Sequence, residues 1–238
     1  MWARAMPANP CPTCGACCRS YWVTLCGRDI WGIARSENLA PSEFVVPRLV
    51  EGPRVDGVQF AAGGPISLLM LDKRGRIEAD RPCVFLVSLG TSHAACGIYG
   101  HRPVVCRDYP FVVRDGSLAL RERALCPANA WPTGLLAAVG PERVLHSHRE
   151  FDLYGAFVAR WNARVAATPA RAFRLDELFE SMIDVYDYAE SARPLVGGPT
   201  VSEWPDVRSG PAQIEDAATW ETYRQHFIEA LDRLLPQP

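Results

Sequence analysis

The sequence predicts an α+β protein, because the two parts of the chain carry different hydrophobic patterns. Before about residue 135 the apolar residues form short runs separated by turns, whereas after it they recur at helical spacing. We therefore expect a small cysteine-cluster domain with short strands over residues 1–135, stabilised by metal, and a helical extension over residues 136–238. Within the extension, residues 191–213 are rich in proline and glycine and are predicted to form a loop.

Short runs rich in aromatic and β-branched residues predict strands in the first part, at residues 21–25, 58–60, 66–71 and 77–78. The strongest hairpin signal joins residues 109–114 to residues 118–121 across Asp115-Gly116. Asp29 is expected to cap a helix, and Pro41-Ser42-Glu43 to begin a second one that carries Phe44 and Val45 inward.

Three helices are predicted in the extension. The first begins near residue 141, because one helical face collects the apolar residues Tyr154, Phe157, Val158, Trp161 and Val165. The second is expected at residues 177–190 with Asp176 as its cap, and the last at residues 217–235.

Composition excludes several classes of protein. The 238 residues include 25 basic and 27 acidic side chains, and the net charge of -2 provides no overall field that would hold nucleic acid or an anionic membrane. The apolar runs are much shorter than the roughly 20 residues that cross a bilayer. The first ten residues lack the apolar core of a secretory signal, so we expect a cytoplasmic protein with reduced cysteines.

Cysteine is the residue type that points to chemistry. Nine cysteines are too few for a disulfide scaffold of this length, and their clustering favours metal ligation. The first set reads C-x2-C-x2-C-C and the second follows much later, with Cys26 between them: Cys11, Cys14, Cys17 and Cys18, then Cys83, Cys96, Cys106 and Cys126. Eight thiols suffice for two zinc sites or for iron-sulfur ligation.

The spacing of the first set has geometric consequences. A C-x2-C turn can direct two sulfurs at one metal, while its N–H groups offset the thiolate charge. Adjacent side chains tend to diverge, so Cys17 and Cys18 are expected to serve different metal atoms. We therefore predict that the two cysteine sets interleave, with at least one later cysteine joining the first cluster.

The order of the motifs resembles one family closely. The segments that carry the resemblance are Cys11-Pro-Thr-Cys14-Gly-Ala-Cys17-Cys18-Arg19, Arg81-Pro-Cys83, Cys96-Gly-Ile-Tyr99, Arg102-Pro-Val-Val-Cys106-Arg107 and Cys126-Pro127. They resemble the CxxCxxCC putative zinc- or iron-chelating domain, the YkgJ-type cysteine-cluster proteins, over roughly residues 10–130. The resemblance implies zinc or an iron-sulfur cluster as cofactor, with the family's eight cysteines at Cys11, Cys14, Cys17, Cys18, Cys83, Cys96, Cys106 and Cys126. Part of the wider group is similar to flagellin lysine N-methylases, which implies a protein-methylating relative.

The remaining polar residues are expected to be structural. His146 and His148 are predicted to lie in solvent, His93 and His101 not to be ligands, and Cys26 to be a small buried residue. Two residues beside Cys106 are also expected to be structural. Asp108 is expected to pair with Arg107 or Arg102, and Tyr109 to pack.

The sequence leaves three functions open and identifies no catalytic residue. The first is a protein that binds metal through eight cysteines. The second is an iron-sulfur enzyme of protein-methylating or redox type. The third is an interaction module on structural zinc, in which the helical extension binds a protein partner.

Overall fold

The computed structural model describes residues 14–75, 81–89, 93–115, 117–126, 142–191 and 217–237. Helices and short antiparallel strands occur together, with helices alone in the described part of the C-terminal region, and this confirms the α+β prediction. The expected boundary at residue 135, the strand at residues 77–78, the loop from residue 192 onward and Cys11 lie outside the described residues.

The described α-helices are α1 (Ala16–Ser20), α2 (Gly27–Glu37), α3 (Val104–Asp108), α4 (Glu142–Ala166), α5 (Leu175–Ser191) and α6 (Ala217–Leu234). The strands are β1 (Val45–Leu49), β2 (Ser67–Leu71), β3 (Leu86–Leu89), β4 (His93–Cys96), β5 (Phe111–Arg114) and β6 (Ser117–Leu120). Single 3-10 turns occupy Pro41–Glu43 and Tyr99–His101. No helix in the described ranges is long and apolar enough to cross a bilayer.

The strands form three antiparallel pairs, β1 with β2, β3 with β4 and β5 with β6. The pairing of β5 with β6 confirms the hairpin predicted at Asp115-Gly116, where Asp115 takes a left-handed conformation with φ 49. The pair β3–β4 was not predicted. The reason is composition, because β4 reads His-Ala-Ala-Cys and lacks the β-branched and aromatic residues that mark a strand.

Two predicted strands are much shorter than expected. Residues 21–25 make one isolated bridge, between Thr24 and Met70, and residues 58–60 make one, between Val58 and Ser67. The first segment leaves the sheet because the chain turns into α2 at Gly27, immediately after the Leu25 N–H donates to the sheet. The strand predictions for these segments are therefore wrong in extent.

The beginnings of two helices also differ from expectation. Cys26 is the N-cap of α2, whereas Asp29 lies in its first turn and accepts the Cys26 N–H at 3.1 Å. Pro41–Glu43 is a single 3-10 turn instead of a helix, because the chain enters β1 at Val45. Phe44 and Val45 are buried, as predicted.

One apolar core joins the cysteine-rich part to the C-terminal helices. The predicted stripe of α4, from Tyr154 to Val165, is buried in it, and α2 packs against both α4 and α5. Polar contacts strengthen this packing: Arg28 forms an ion pair with Glu190, and Trp31 Nε1 donates to Asp187 at 2.8 Å. The two parts of the chain therefore share a single core around α2.

Candidate metal centre

The first cysteine cluster lies at the beginning of α1. Cys14 precedes the helix and Cys17 and Cys18 lie within it, while Gly15 at the N-cap has φ 68. A Cβ atom on Gly15 would lie 2.9 Å from the Cβ of Ala94 on β4, a distance that side chains do not tolerate. Glycine at position 15 therefore provides both the left-handed turn and the close approach of β4, which carries Cys96.

The sulfurs of Cys17 and Cys18 lie 3.9 Å apart. Sulfurs that share one tetrahedral zinc are about 4 Å apart, given Zn–S bonds of about 2.3 Å. The expectation that these two side chains diverge is therefore wrong. The reason is the helix: consecutive helical residues are separated by about 100° around the axis, not by the half-turn of a strand.

Cys83 connects the second set to the first. Its backbone N–H donates to the carbonyl of Cys18 at 2.8 Å, and it also forms an isolated β-bridge with Lys73. Burial, together with the charges of the neighbouring thiols Cys18 and Cys96, raises the pKa of the Cys83 thiol to about 11. Cys83 therefore lies close enough to both cysteines for their charges to interact.

Cys106 is half-buried and interacts with thiols of both cysteine sets. It lies on α3, and burial raises the pKa of its thiol well above the usual value. Charges on Cys18, Cys83 and Cys96 raise it further. The structure thus brings Cys18, from the first set, into the electrostatic neighbourhood of three cysteines from the second.

Two tyrosines hold the segment that carries Cys126. The Tyr21 hydroxyl donates to the carbonyl of Arg123 at 3.1 Å, and the Tyr109 hydroxyl accepts the Leu125 N–H at 2.5 Å. The two rings also meet edge to face, with centroids 5.7 Å apart. Tyr109 therefore does more than pack, because its hydroxyl binds the backbone beside Cys126.

Cations surround the cluster. The hydrogen bond from Cys17 lowers the pKa of the Cys18 thiol to about 7, against burial, and Arg102 and Arg19 contribute in the same direction. Lys73, the single lysine of the chain, is buried, and its Nζ donates to the carbonyl of Arg19 at 2.7 Å. These charges favour the thiolate form of Cys18.

Cys26 has a different setting from the other cysteines. It is fully buried in the shared core, and burial raises the pKa of its thiol well above the usual value, with Asp29 and Glu150 adding to the effect. Its predicted burial is confirmed.

The histidines and Asp108 were predicted to be structural. His148 is exposed, as predicted, and burial lowers the pKa of the half-buried His101. Asp108 is buried at the end of α3. The side chains of His93 and His146 lie outside the described part of the structure.

The donor set fits a thiophilic metal. Cys14, Cys17, Cys18, Cys83, Cys96, Cys106 and Cys126 are all free thiols, and thiolate is the ligand that zinc and iron-sulfur clusters prefer. Within the described ranges, no three His, Cys, Asp or Glu side chains converge closely enough to hold a metal ion. The cysteines therefore fit such a metal by their ligand type and by their proximity to one another. Cys11 lies outside the described residues.

Residues 10–127 match the family model of the CxxCxxCC domain, described as a putative zinc- or iron-chelating domain. This part of the chain belongs to the CxxCxxCC family. The matched range contains both cysteine sets, so metal binding is the function that the family describes for this region. The chain matches no curated protein and no solved structure.

Several residues of the CxxCxxCC centre were missed from the sequence. They act through partners that lie far along the chain: Gly15 approaches Ala94, Lys73 lies over the ring of Trp22, and the Asp29 carboxylate accepts the Val104 N–H at 2.9 Å. Lys73 carried one visible signal, since it is the single lysine in a chain that otherwise uses arginine.

Proposed function

We propose that the chain binds zinc or iron through eight cysteine thiolates drawn from both sets, and that the metal holds the loops of the CxxCxxCC domain together. The ligands are Cys11, Cys14, Cys17, Cys18, Cys83, Cys96, Cys106 and Cys126. When bound, the metal supplies cross-links between segments that are distant in sequence. Each set contributes ligands to a shared, interleaved centre.

The observation that carries this proposal is a direct contact between the two cysteine sets, in which the Cys83 N–H donates to the Cys18 carbonyl at 2.8 Å. The 3.9 Å separation of the Cys17 and Cys18 sulfurs supports it independently. Free thiols gathered in this way, beside arginine and lysine, suit a metal that binds thiolate.

Charge balance supports the same conclusion. Four thiolates around one divalent metal leave a formal charge of about -2, which needs nearby cations or N–H donors. Arg102 and Arg19 act electrostatically on Cys18, and Lys73 interacts with both Cys18 and Cys83. The residues around the cluster thus provide positive charge where thiolate ligands need it.

Anaerobic purification followed by native mass spectrometry, metal analysis and an absorption spectrum tests the proposal. A colourless protein that contains zinc, or a brown protein with charge-transfer bands, supports it and identifies the metal. A fully folded, metal-free monomer from cells supplied with both metals contradicts it. Purification from the cytoplasmic fraction is part of the proposal, because the thiols must stay reduced.

A matched pair of variants tests which cysteines are ligands. Cys14→Ser removes one proposed ligand, and structural metal sites contribute on the order of 10 kcal/mol, which exceeds the usual folding margin. We expect loss of bound metal and aggregation. Cys26→Ser is the control, because serine is itself a good N-cap for α2 and removes no proposed ligand. Equal loss of metal in both variants would contradict the division of nine cysteines into eight ligands and one structural residue.

A further inference from the structure

Three cationic side chains surround the half-buried ring of Trp22. Arg48 Cζ lies 4.0 Å from the ring centroid, Lys73 Nζ 5.3 Å and Arg81 Cζ 5.8 Å. The three come from separate segments: β1, the turn after β2, and the approach to Cys83. An aromatic ring has two faces, so at least two of these cations lie over the same face. Like charges at such separations repel each other.

No carboxylate in the described part of the chain neutralises this group. Over the ranges that the structure describes, none of the three cations has an Asp or Glu oxygen within ion-pair distance. Arg81 Nη2 makes a long hydrogen bond of 3.3 Å to the carbonyl of Lys73, while the buried Nε of Arg81 has no hydrogen-bond partner among the described residues. A buried, unpartnered N–H of a charged group is costly, so a missing acceptor is expected there.

The proposed metal centre accounts for only part of the positive charge. Lys73 interacts with the thiols Cys18 and Cys83, so its ammonium group serves the cysteines. Arg48, in contrast, lies over the half-buried ring of Trp22 from the β1 strand. A guanidinium stacked on an indole keeps its N–H edge directed outward, where it can bind two oxygens of an anion.

We propose that Arg48 and Arg81, positioned by Trp22, bind a dianionic phosphate group beside the cysteine cluster. Two guanidinium groups supply several N–H donors for the oxygens of a tetrahedral anion, and their combined charge matches a dianion better than a single carboxylate. The bound group would also provide an acceptor for Arg81 Nε. This site is independent of the identity of the metal.

Isothermal titration of the full-length protein with inorganic phosphate tests the site, with acetate as the monoanionic comparison. We expect saturable binding of one phosphate, weaker by at least tenfold in Arg48→Met and in Arg81→Met. Arg224→Met is the control, because Arg224 is an exposed residue of α6 that pairs with Glu221. Binding in this control should equal that of the wild-type protein. The metal content of every sample is measured in parallel, so that loss of metal and loss of phosphate binding are separate results.

The assignment is wrong if the wild-type protein shows no saturable phosphate binding, if acetate binds as tightly, or if Arg48→Met binds phosphate as the wild-type protein does. Should Arg48→Met fail to fold, Arg48→Lys decides: it keeps the charge and loses the guanidinium fork, so wild-type affinity in that variant also overturns the proposal. Titration with O-phosphoserine shows whether the site prefers a phosphate monoester or free phosphate. Tighter binding than inorganic phosphate supports a phosphate monoester, and equal binding supports free phosphate.

Discussion

The carboxylate of Asp29 accepts the backbone N–H of Val104 at 2.9 Å and so joins the first turn of α2 to the first turn of α3. Its second oxygen accepts the Cys26 N–H at 3.1 Å. Burial raises the pKa of Asp29, an effect that Arg107 and these hydrogen bonds oppose. Because Cys106 lies only two residues after Val104, Asp29 determines where this cysteine enters the cluster.

Asp29→Ala removes both acceptors and leaves two backbone N–H groups without partners. Each buried donor left in this way costs about 1–3 kcal/mol, so we expect urea unfolding at clearly lower concentration and weaker metal binding. Asp176→Ala is the control, because Asp176 lies in the first turn of α5 but is exposed and pairs with Arg174. If the unfolding midpoint of Asp29→Ala equals that of the control, the two hydrogen bonds of Asp29 contribute nothing to stability.

The hydroxyl of Tyr109 allows a gentler test of the segment that carries Cys126. Tyr109→Phe keeps the ring against Tyr21 but removes the acceptor of the Leu125 N–H. A hydrogen bond of this kind contributes about 1 kcal/mol, so metal affinity measured against a competing chelator should fall roughly fivefold. Tyr188→Phe, in α5, should leave the affinity unchanged. Equal metal affinities in the two variants would show that the Tyr109 hydroxyl does not contribute to metal binding.

Local signals made much of the fold predictable. The β5–β6 hairpin was predicted because its turn residues lie beside its strands, and α4, α5 and α6 because long amphipathic periods are hard to mistake. The 3-10 turn at Pro41–Glu43 was mistaken for a helix start, since both share a proline followed by a capping acid. Local patterns thus predicted elements whose structure depends on near neighbours.

The site was less predictable, because its residues are defined by distant partners. Cys17 and Cys18 were expected to diverge, and only their placement in the short helix α1 brings the sulfurs together. Lys73 and Trp22 meet across about fifty residues of chain, a pairing that no local pattern contains. The identity of the ligand candidates could be read from the sequence, whereas their supporting residues could not.

Thiol reactivity in the short interval after a chelator removes the metal, before the domain unfolds, should follow the different environments of the cysteines. The pKa of Cys18 is lowered to about 7, while that of Cys83 is raised to about 11. The thiolate is the reactive form, so alkylation of Cys18 should rise through pH 7 and precede that of Cys83 at every pH up to about 9. Peptide mass spectrometry after brief treatment with iodoacetamide gives the order. Earlier alkylation of Cys83 would contradict the assigned environments.

Lys73 provides a test of charge at the metal centre. Lys73→Met keeps most of the side-chain volume but removes the ammonium group that binds the Arg19 carbonyl and interacts with Cys18 and Cys83. Substitution of a residue that interacts with metal ligands typically lowers metal affinity by about 10–100-fold. We expect Lys73→Met to lower the affinity by a factor in that range. Lys73→Arg keeps the charge and should retain more of the affinity. Identical affinities for the Met and Arg variants would show that the charge has no role.

Gly27 and Gly32 lie in the same helix and are expected to respond to alanine in opposite directions. A Cβ atom on Gly27 would lie 2.5 Å from Cε2 of Tyr186, a fully buried ring of α5, whereas a Cβ on Gly32 meets nothing within 4 Å. Gly27→Ala must therefore displace the Tyr186 ring from the interface between α2 and α5, and overpacking of this kind costs about 1–3 kcal/mol.

Gly32→Ala replaces glycine in a helix interior without a clash, which stabilises a helix by up to about 1 kcal/mol. Urea unfolding of the two variants, followed by circular dichroism and by metal release, measures both effects. Because α2 belongs to the CxxCxxCC domain and Tyr186 to the C-terminal helices, Gly27→Ala should lower the midpoints of both signals together. If metal release stays at the wild-type midpoint while the helices unfold early, the shared core does not support the cysteine cluster.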